Sequence, residues 1–372
     1  MRIPTPPRIL PLEHISPSFY LSARACKARA CWLAFGERQQ FPETPSALLG
    51  LAFHSTVERA TAKRDEQVYD VARSVFDQAV HDLHQKAHPL LRTKFPKPEL
   101  LPYYYLVRER AVMAAVEVSG AQTNNLQVTT AASSDRPRRA IERRLSSSDG
   151  WLVGRPDLVN ARDREVVDYK TNVSPQAVGS PLSEAEVRQL KLYAYLAEEN
   201  GIITERGTIV RADGRRYSIV ISKEEARAEV NEARRILNEY NERASSGATF
   251  EDLATPSSES CRLCPCLPIC EPFWEAAQPQ WAQTCGMHIE GAIVEMEESN
   301  LLGTPLTTVV LEASRGSCER GQKRIEQIPG SWLTSSELHL GDVVRATNVR
   351  KDQCDAERIR IDKLASALWT LT

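Results

Sequence analysis

Nowhere does this 372-residue chain approach the roughly 20 consecutive apolar residues that a bilayer-spanning helix needs. Nor does it open on a basic stretch leading into an apolar run of the secretory type. The expectation is a cytoplasmic protein with no membrane partner. Neither sign of charge is in excess: 47 Lys and Arg face 49 Asp and Glu, a formal charge of −2. Such a chain does not coat nucleic acid indiscriminately and would have to hold a phosphate backbone in local basic grooves. No Gly-x-x-x-x-Gly-Lys-Ser/Thr loop is present, so any helicase motor must be a separate chain. Nine cysteines is an odd number, and a chain this long needs no covalent staples to fold, so reduced thiols are expected rather than a disulfide framework. There is no internal repeat.

What is present falls into distinct textures. Ser16 to about Phe35 reads as helix with Ser16 or Ser18 as N-cap, and Ser46 to Lys63 as a second helix after Pro45. Val68, Val71, Ala72, Val75, Phe76, Ala79, Val80 and Leu83 form one apolar stripe of a third helix. The proline-containing stretch from His88 to Pro102 ends it, and helix resumes from Tyr103 to Glu117. Gln127–Thr130, Ala140–Leu145, Leu152–Val153 and Glu165–Tyr169 then read as strands. Ser183 and Glu186 have the capping-box spacing at the head of a helix running to Asn200. Asp213-Gly214 marks a hairpin between Ile209–Arg211 and Tyr217–Ile221, and a charged helix spans Lys223 to Ser245. Five short runs beyond residue 285 (Ile289–Met296, Thr307–Glu312, Arg324–Ile328, Val343–Val349, Arg358–Ile361) suggest a small β-barrel, of the OB type or SH3-like.

The chemistry-bearing residues sit mid-chain. Val166-Val167-Asp168-Tyr169-Lys170 is an apolar strand in which Asp168 and Lys170, two apart, share a face. Asp157 arrives from a neighbouring strand or turn to complete a carboxylate pair. Oxygen ligands of this kind suit a hard cation such as Mg²⁺, which polarises a phosphoryl group and activates water for in-line attack. An Asp and a Lys so spaced are common by chance, and the surroundings carry the reading further.

Gly154-Arg155-Pro156-Asp157 followed by Asp168-Tyr169-Lys170-Thr171 resembles the core signature of PD-(D/E)XK nucleases. Gln189-Leu190-Lys191-Leu192-Tyr193 resembles the Gln-x-x-x-Tyr motif of their RecB-type branch, and Gly50-Leu51-Ala52-Phe53-His54 resembles that branch's helical histidine motif. The resemblance implies an α/β restriction-endonuclease-like core with a helical N-terminal layer. It implies His54, Asp157 and Asp168 as ligands of Mg²⁺ or Mn²⁺, with the Tyr169 carbonyl able to join them. Asp157, Asp168 and Lys170 would be catalytic, and Gln189 and Tyr193 would position substrate or lysine. Glu58, one turn after His54, is an assistant or a solvated charge. His81, His84 and His88 have no supporting pattern and are expected at the surface.

Cys261, Cys264 and Cys270 have ligand-type spacing and need a fourth thiolate. Cys266 would complete a local zinc knuckle; Cys26 would complete a clasp across the whole core. Ser16-Pro17-Ser18-Phe19 with Cys26, and the later C-x2-C-x5-C run, resemble the iron–sulfur subgroup typified by CRISPR-adaptation exonucleases. That resemblance implies a [4Fe–4S] cluster on Cys26, Cys261, Cys264 and Cys270, with structural Zn²⁺ as the alternative and Cys31 or Cys266 as rival ligands. Cys285, Cys318 and Cys354 read as ordinary thiols. The expected organisation is a nuclease domain over 1–284 (core about 103–245, cysteine clasp 246–284) and a small β-barrel, OB-like or SH3-like, over 285–372. The expected function is metal-dependent hydrolysis of single-stranded DNA by an exonuclease or end-processing enzyme, with a helicase or other repair or antiviral-defence subunit as a candidate partner in a separate chain. The alternative is a non-catalytic DNA-binding adaptor in such a complex. Arg136, Arg138, Arg139, Arg143 and Arg144 before the core, and Arg345, Arg350, Lys351, Arg358 and Arg360 on the barrel, are candidate DNA contacts.

Overall fold

The computed structural model describes residues 1–36, 40–61, 68–123, 139–171, 182–301, 303–333, 338–351, 358–362, 364 and 366–371. The expected strand at Gln127–Thr130, together with Arg136, Arg138 and Cys354, lies outside them.

The expected first helix is two. Ser16 caps α1 (Pro17–Ala25), its hydroxyl accepting from the Phe19 N–H. Cys26 then turns extended (φ −163°, ψ 119°) before α2 (Lys27–Phe35) begins. Neither Pro nor Gly stands at the break, so tertiary packing overrides local helix preference here. α3 (Pro45–Thr61), α4 (Val68–Lys86), the short α5 (Pro89–Lys94) and α6 (Tyr104–Thr123) complete the helical layer. His84 departs from expectation. It is buried, with its Nε2 2.7 Å from the Phe95 carbonyl, and the imidazole ties α4 to the loop after α5. His88 caps α5 by accepting from the Leu90 N–H.

A five-stranded sheet forms the centre, in the order β1-β4-β5-β6-β7, from β1 (Arg139–Ile141), β4 (Leu158–Asn160), β5 (Glu165–Lys170), β6 (Arg206–Arg211) and β7 (Arg216–Val220). A two-stranded ladder, β2 (Leu145–Ser146) with β3 (Val153–Gly154), stands beside it. Only β5 and β6 are parallel; their crossover carries α7 (Glu184–Glu199), headed by a complete Ser183/Glu186 capping box. α7 and α8 (Lys223–Ser245), together with α1 and α2, bury one face of the sheet around Val159, Val166, Leu190, Ile209 and Tyr240. α3, α4 and α6 bury the other around Phe53, Phe76, Val107, Val167 and Tyr169. At roughly 25 cal/mol per Å² of apolar area removed from water, these two cores are the main term holding the sheet between its helices.

After α9 (Glu271–Ala276) and the single turn α10 (Ala282–Cys285) come β8 (Met287–Leu301), β9 (Thr304–Gly316), β10 (Gly321–Pro329), β11 (Val343–Lys351) and β12 (Ile359–Ile361). They close into a five-stranded barrel, β8-β9-β10-β12-β11 and back to β8, with a parallel pairing between β10 and β12. β13 (Ala367–Thr370), which the sequence pattern did not suggest, adds to β11 and also pairs with the start of the chain: the Ile3 N–H donates to the Thr370 carbonyl at 3.3 Å. Arg345 is no DNA contact. It is 1% exposed, stacked over Trp274, with Nε on Glu290 at 2.7 Å, Nη1 on the Pro268 carbonyl at 2.5 Å and Nη2 on Glu271. It joins the barrel to the cysteine-rich segment. Arg350 is exposed but engaged by Asp362 at 2.8 Å.

Candidate active site

Strand register explains why three carboxylates meet. Ile141 pairs with Leu158 and Leu158 with Val167, so the next residues in line, Glu142, Asp157 and Asp168, come level across adjacent strands at one end of the sheet. The Glu142 N–H donates to the Asp157 carbonyl at 3.0 Å, and the Tyr169 N–H donates to Asp157 Oδ2 at 2.5 Å. His54 leans in from α3, its Nδ1 3.0 Å from Asp157 Oδ1 and 3.2 Å from Glu142 Oε1. One ligand atom from each of His54, Glu142 and Asp157 lies within 4.8 Å of the others. Glu142 was not foreseen: its sequence neighbours carry no motif, and only the pairing of β1 with β4 brings it to Asp157. Arg155 steadies it, with Nε donating to the Glu142 carbonyl at 2.5 Å and the guanidinium also meeting Glu58 at 2.5 Å.

All three carboxylates are at least nine-tenths buried. Burial, opposed in part by His54, holds the Asp157 carboxyl above its ordinary range. Burial and the neighbouring Asp157 charge push Asp168 up to about 6. Burial would lower the His54 pKa, but its hydrogen bonds to Asp157 and Glu142 outweigh that and raise it to about 10. Three carboxylates thus crowd together out of water, where ionisation is costly, and a divalent cation would stabilise their charged forms. Asp168 Oδ2 is buried without a hydrogen bond of acceptable geometry, its nearest cation being the Lys170 ammonium at 2.7 Å. Carboxylates with one imidazole fit Mg²⁺ or, with its greater tolerance of nitrogen, Mn²⁺.

Lys170 projects from β5 on the Asp168 face. Its Nζ donates to Gln189 Oε1 at 2.9 Å, and Gln189 Nε2 donates to the Tyr193 hydroxyl at 3.2 Å. Gln189 and Tyr193, four apart on α7, thus hold the lysine in place. Gly154 lets α7 come this close: a Cβ there would stand 2.6 Å from Leu196 Cδ1 and 3.1 Å from the Tyr193 ring. The Tyr169 side chain points to the other face of the sheet, its ring 5.4 Å from Phe53, so the residue serves the centre through its backbone.

Cys26, Cys261, Cys266 and Cys270 are buried and Cys264 is partly so. Cys26 is near enough that its charge helps hold the Cys261, Cys266 and Cys270 thiols up, behind the larger effect of burial on Cys261 and Cys270 and of the Cys264 contact on Cys266. The extended break at Cys26 is what brings its thiol to this gathering. Cys31, fully buried in α2, instead contacts the Tyr240 hydroxyl. Among the described residues no three of these sulfurs lie within 4.8 Å of one another, whereas a tetrahedral zinc with Zn–S bonds of about 2.3 Å brings its sulfurs to about 3.8 Å.

The family model described as the PD-(D/E)XK nuclease superfamily matches residues 14–271. The chain belongs to the PD-(D/E)XK nuclease superfamily. Membership makes it, by class, a metal-dependent nuclease, and the centre at His54, Glu142 and Asp157 can bind the metal that class uses. The superfamily match takes in α1 through Cys270 and leaves the barrel outside. No curated protein matches the chain. A similar solved structure, titled "Crystal structure of SSO0001", is 16% identical, covers 49% of this chain and 83% of that chain, and has a TM-score of 0.25, a likeness too loose to carry an argument. No helix among the described residues is long and apolar enough to cross a membrane.

Proposed function

We propose that this superfamily member is a deoxyribonuclease of the RecB-type, iron–sulfur branch that shortens or trims single-stranded DNA with Mg²⁺ or Mn²⁺. The observation that carries the reading is the joint placement of a buried acidic centre and a lysine fixed beside it by Gln189. When bound, the cation supplies charge neutralisation at the phosphoryl oxygens and an activated water. His54, Glu142 and Asp157, with Asp168 beside them, would hold it. Lys170 offers a directed ammonium to the attacked phosphate or to the incoming water. Gln189 and Tyr193 keep that ammonium from swinging into solvent, so the group is pre-positioned when charge develops. A linear single strand labelled at either end, incubated beside a circular one, tests the exonuclease reading: loss of the linear strand with survival of the circle is expected, and cutting of the circle would make the enzyme an endonuclease.

The gathered thiols support a [4Fe–4S] cluster on Cys26, Cys261, Cys264 and Cys270, closing the ends of the nuclease segment on each other. Protein purified without oxygen should be brown and contain iron, should lose both in Cys26→Ser and should keep both in Cys31→Ser; a colourless protein with one zinc would reject the cluster. The barrel supports an OB-like module for guiding the strand, since its fourth strand lies beside its first in the Greek-key manner. A helicase or other defence or repair subunit would be a separate, cytoplasmic partner.

A further inference from the structure

On the α6 side of the sheet, next to the catalytic lysine, a cavity of about 400 Å³ opens between α6 and the ends of β5 and β6. That is within the size range of small-ligand pockets. Phe53, Met113, Tyr169 and Val210 give it an apolar floor and wall, and Arg110 and Arg216 place cations at its edge against one acid, Glu117, while Lys170 and Arg211 line it with their charged ends turned to Gln189 and Glu186 of α7. Arg211 and Arg216 are already bound by Glu186 and Glu117. Arg110 differs: its Nη2 donates to the Asp213 carbonyl at 2.6 Å, and no carboxylate is paired with it among the described residues. The β6–β7 hairpin fixes the guanidinium there, because Gly214 (φ +82°) leaves room where a Cβ would come within 2.6 Å of Arg110 Nη1. Leu106, Arg110 and Met113 lie at i, i+4 and i+7 on α6 and so form one stripe. Leu106 is 41% and Met113 55% exposed, and with Tyr105 they are the large apolar residues that α6 leaves open among those described. From Met113 to Leu106 the stripe runs about 10 Å, the reach of roughly two nucleotides.

A ligand that is both flat and apolar and also anionic satisfies such a pocket. We infer that it is a nucleotide subsite: the base next to the scissile phosphate enters the cavity against Met113 and Phe53, Arg110 takes the adjoining phosphate, and the strand leaves along the Leu106 stripe of α6. This rests on the nuclease reading and adds the path that a single strand takes to Lys170. A duplex base, stacked and paired, could not enter.

The test is fluorescence anisotropy with fluorescein-labelled (dT)12 in EDTA, where no hydrolysis occurs, comparing the full chain with Met113→Glu and Arg110→Ala. Met113 is exposed and Arg110 is held only at its tip, so unchanged melting temperatures accompany both. Each variant should weaken (dT)12 binding roughly tenfold, with Arg110→Lys recovering part of the loss. Thymidine 5′-(p-nitrophenyl phosphate), whose single base enters the same cavity, should be turned over by the parent with Mn²⁺ and more slowly by Met113→Glu. Equal binding by parent and variants, or no binding by the parent, overturns the subsite. If the binding losses appear but Mn²⁺ drives hydrolysis of neither substrate, the subsite stands and the nuclease reading falls.

Discussion

Glu142→Gln removes one of the three atoms that define the metal centre while keeping side-chain volume and the Arg155 contact to the backbone. In the metal-free protein the change has two opposed effects. It relieves carboxylate repulsion within a 4.8 Å group, worth about 3 kcal/mol at an effective dielectric of 20. It also withdraws the negative charge that stands 3.2 Å from His54 Nδ1 and 3.2 Å from Arg155 Nε. Apo stability should therefore move little. With metal the effects no longer cancel, because the anion that is lost is one the dication binds. Loss of a group supporting a metal site costs about 10- to 100-fold in affinity, or about 1.4–2.7 kcal/mol. At a Mn²⁺ concentration 100 times the parent dissociation constant, mass action stabilises the parent by about 2.7 kcal/mol. The variant at the same concentration gains only about 0.4–1.4 kcal/mol. With roughly 2–4 °C per kcal/mol for domains of this size, the parent melt should rise by about 5–11 °C and the variant by about half as much or less. Calorimetric titration and thermal melts read both quantities. A Mn²⁺ affinity within twofold of the parent would refute the place given to Glu142.

Gln189→Ala frees Lys170 without touching a metal ligand, so single-turnover cleavage should slow by about 10- to 100-fold at unchanged Mn²⁺ affinity; a matching loss of affinity would mean that Gln189 acts on the metal instead. Asp168 has a folded pKa raised from 3.8 to about 6, so its contribution favours the fold below about pH 4 and is lost as pH rises through about 6. Metal-free protein should thus lose stability across that window, and Asp168→Asn should flatten the slope; an unchanged slope would contradict the assignment. Arg345→Leu removes one of the two guanidiniums on buried Glu290, leaving Arg315 at 2.5 Å, and should cost about 3 kcal/mol, loosening barrel and cysteine segment together in hydrogen exchange, whereas protection lost from the barrel alone would contradict the joint.

Local chemistry made much of this site readable. The Ser183/Glu186 box, the alternation that puts Asp168 beside Lys170, and the four-residue spacing of Gln189 and Tyr193 are all properties of one element at a time, and each is realised as drawn. What the sequence hid depends on pairing between elements. Glu142 joins Asp157 only through the β1–β4 register. Cys26 breaks a helix that its neighbours favour, and His84 and Arg345 are polar residues whose burial follows from partners far along the chain, the Phe95 carbonyl and Glu271 with Glu290. β13 is too short to show a period and exists because β11 offers it an edge.

Metal-dependent cleavage of an end-labelled single strand bears most directly on the central claim. The parent should degrade the strand with Mn²⁺ or Mg²⁺ and stop on adding EDTA, while folded Lys170→Ala and Asp157→Asn should lose at least a hundredfold in rate. Cleavage that persists in EDTA, or that survives intact in both variants, would contradict it.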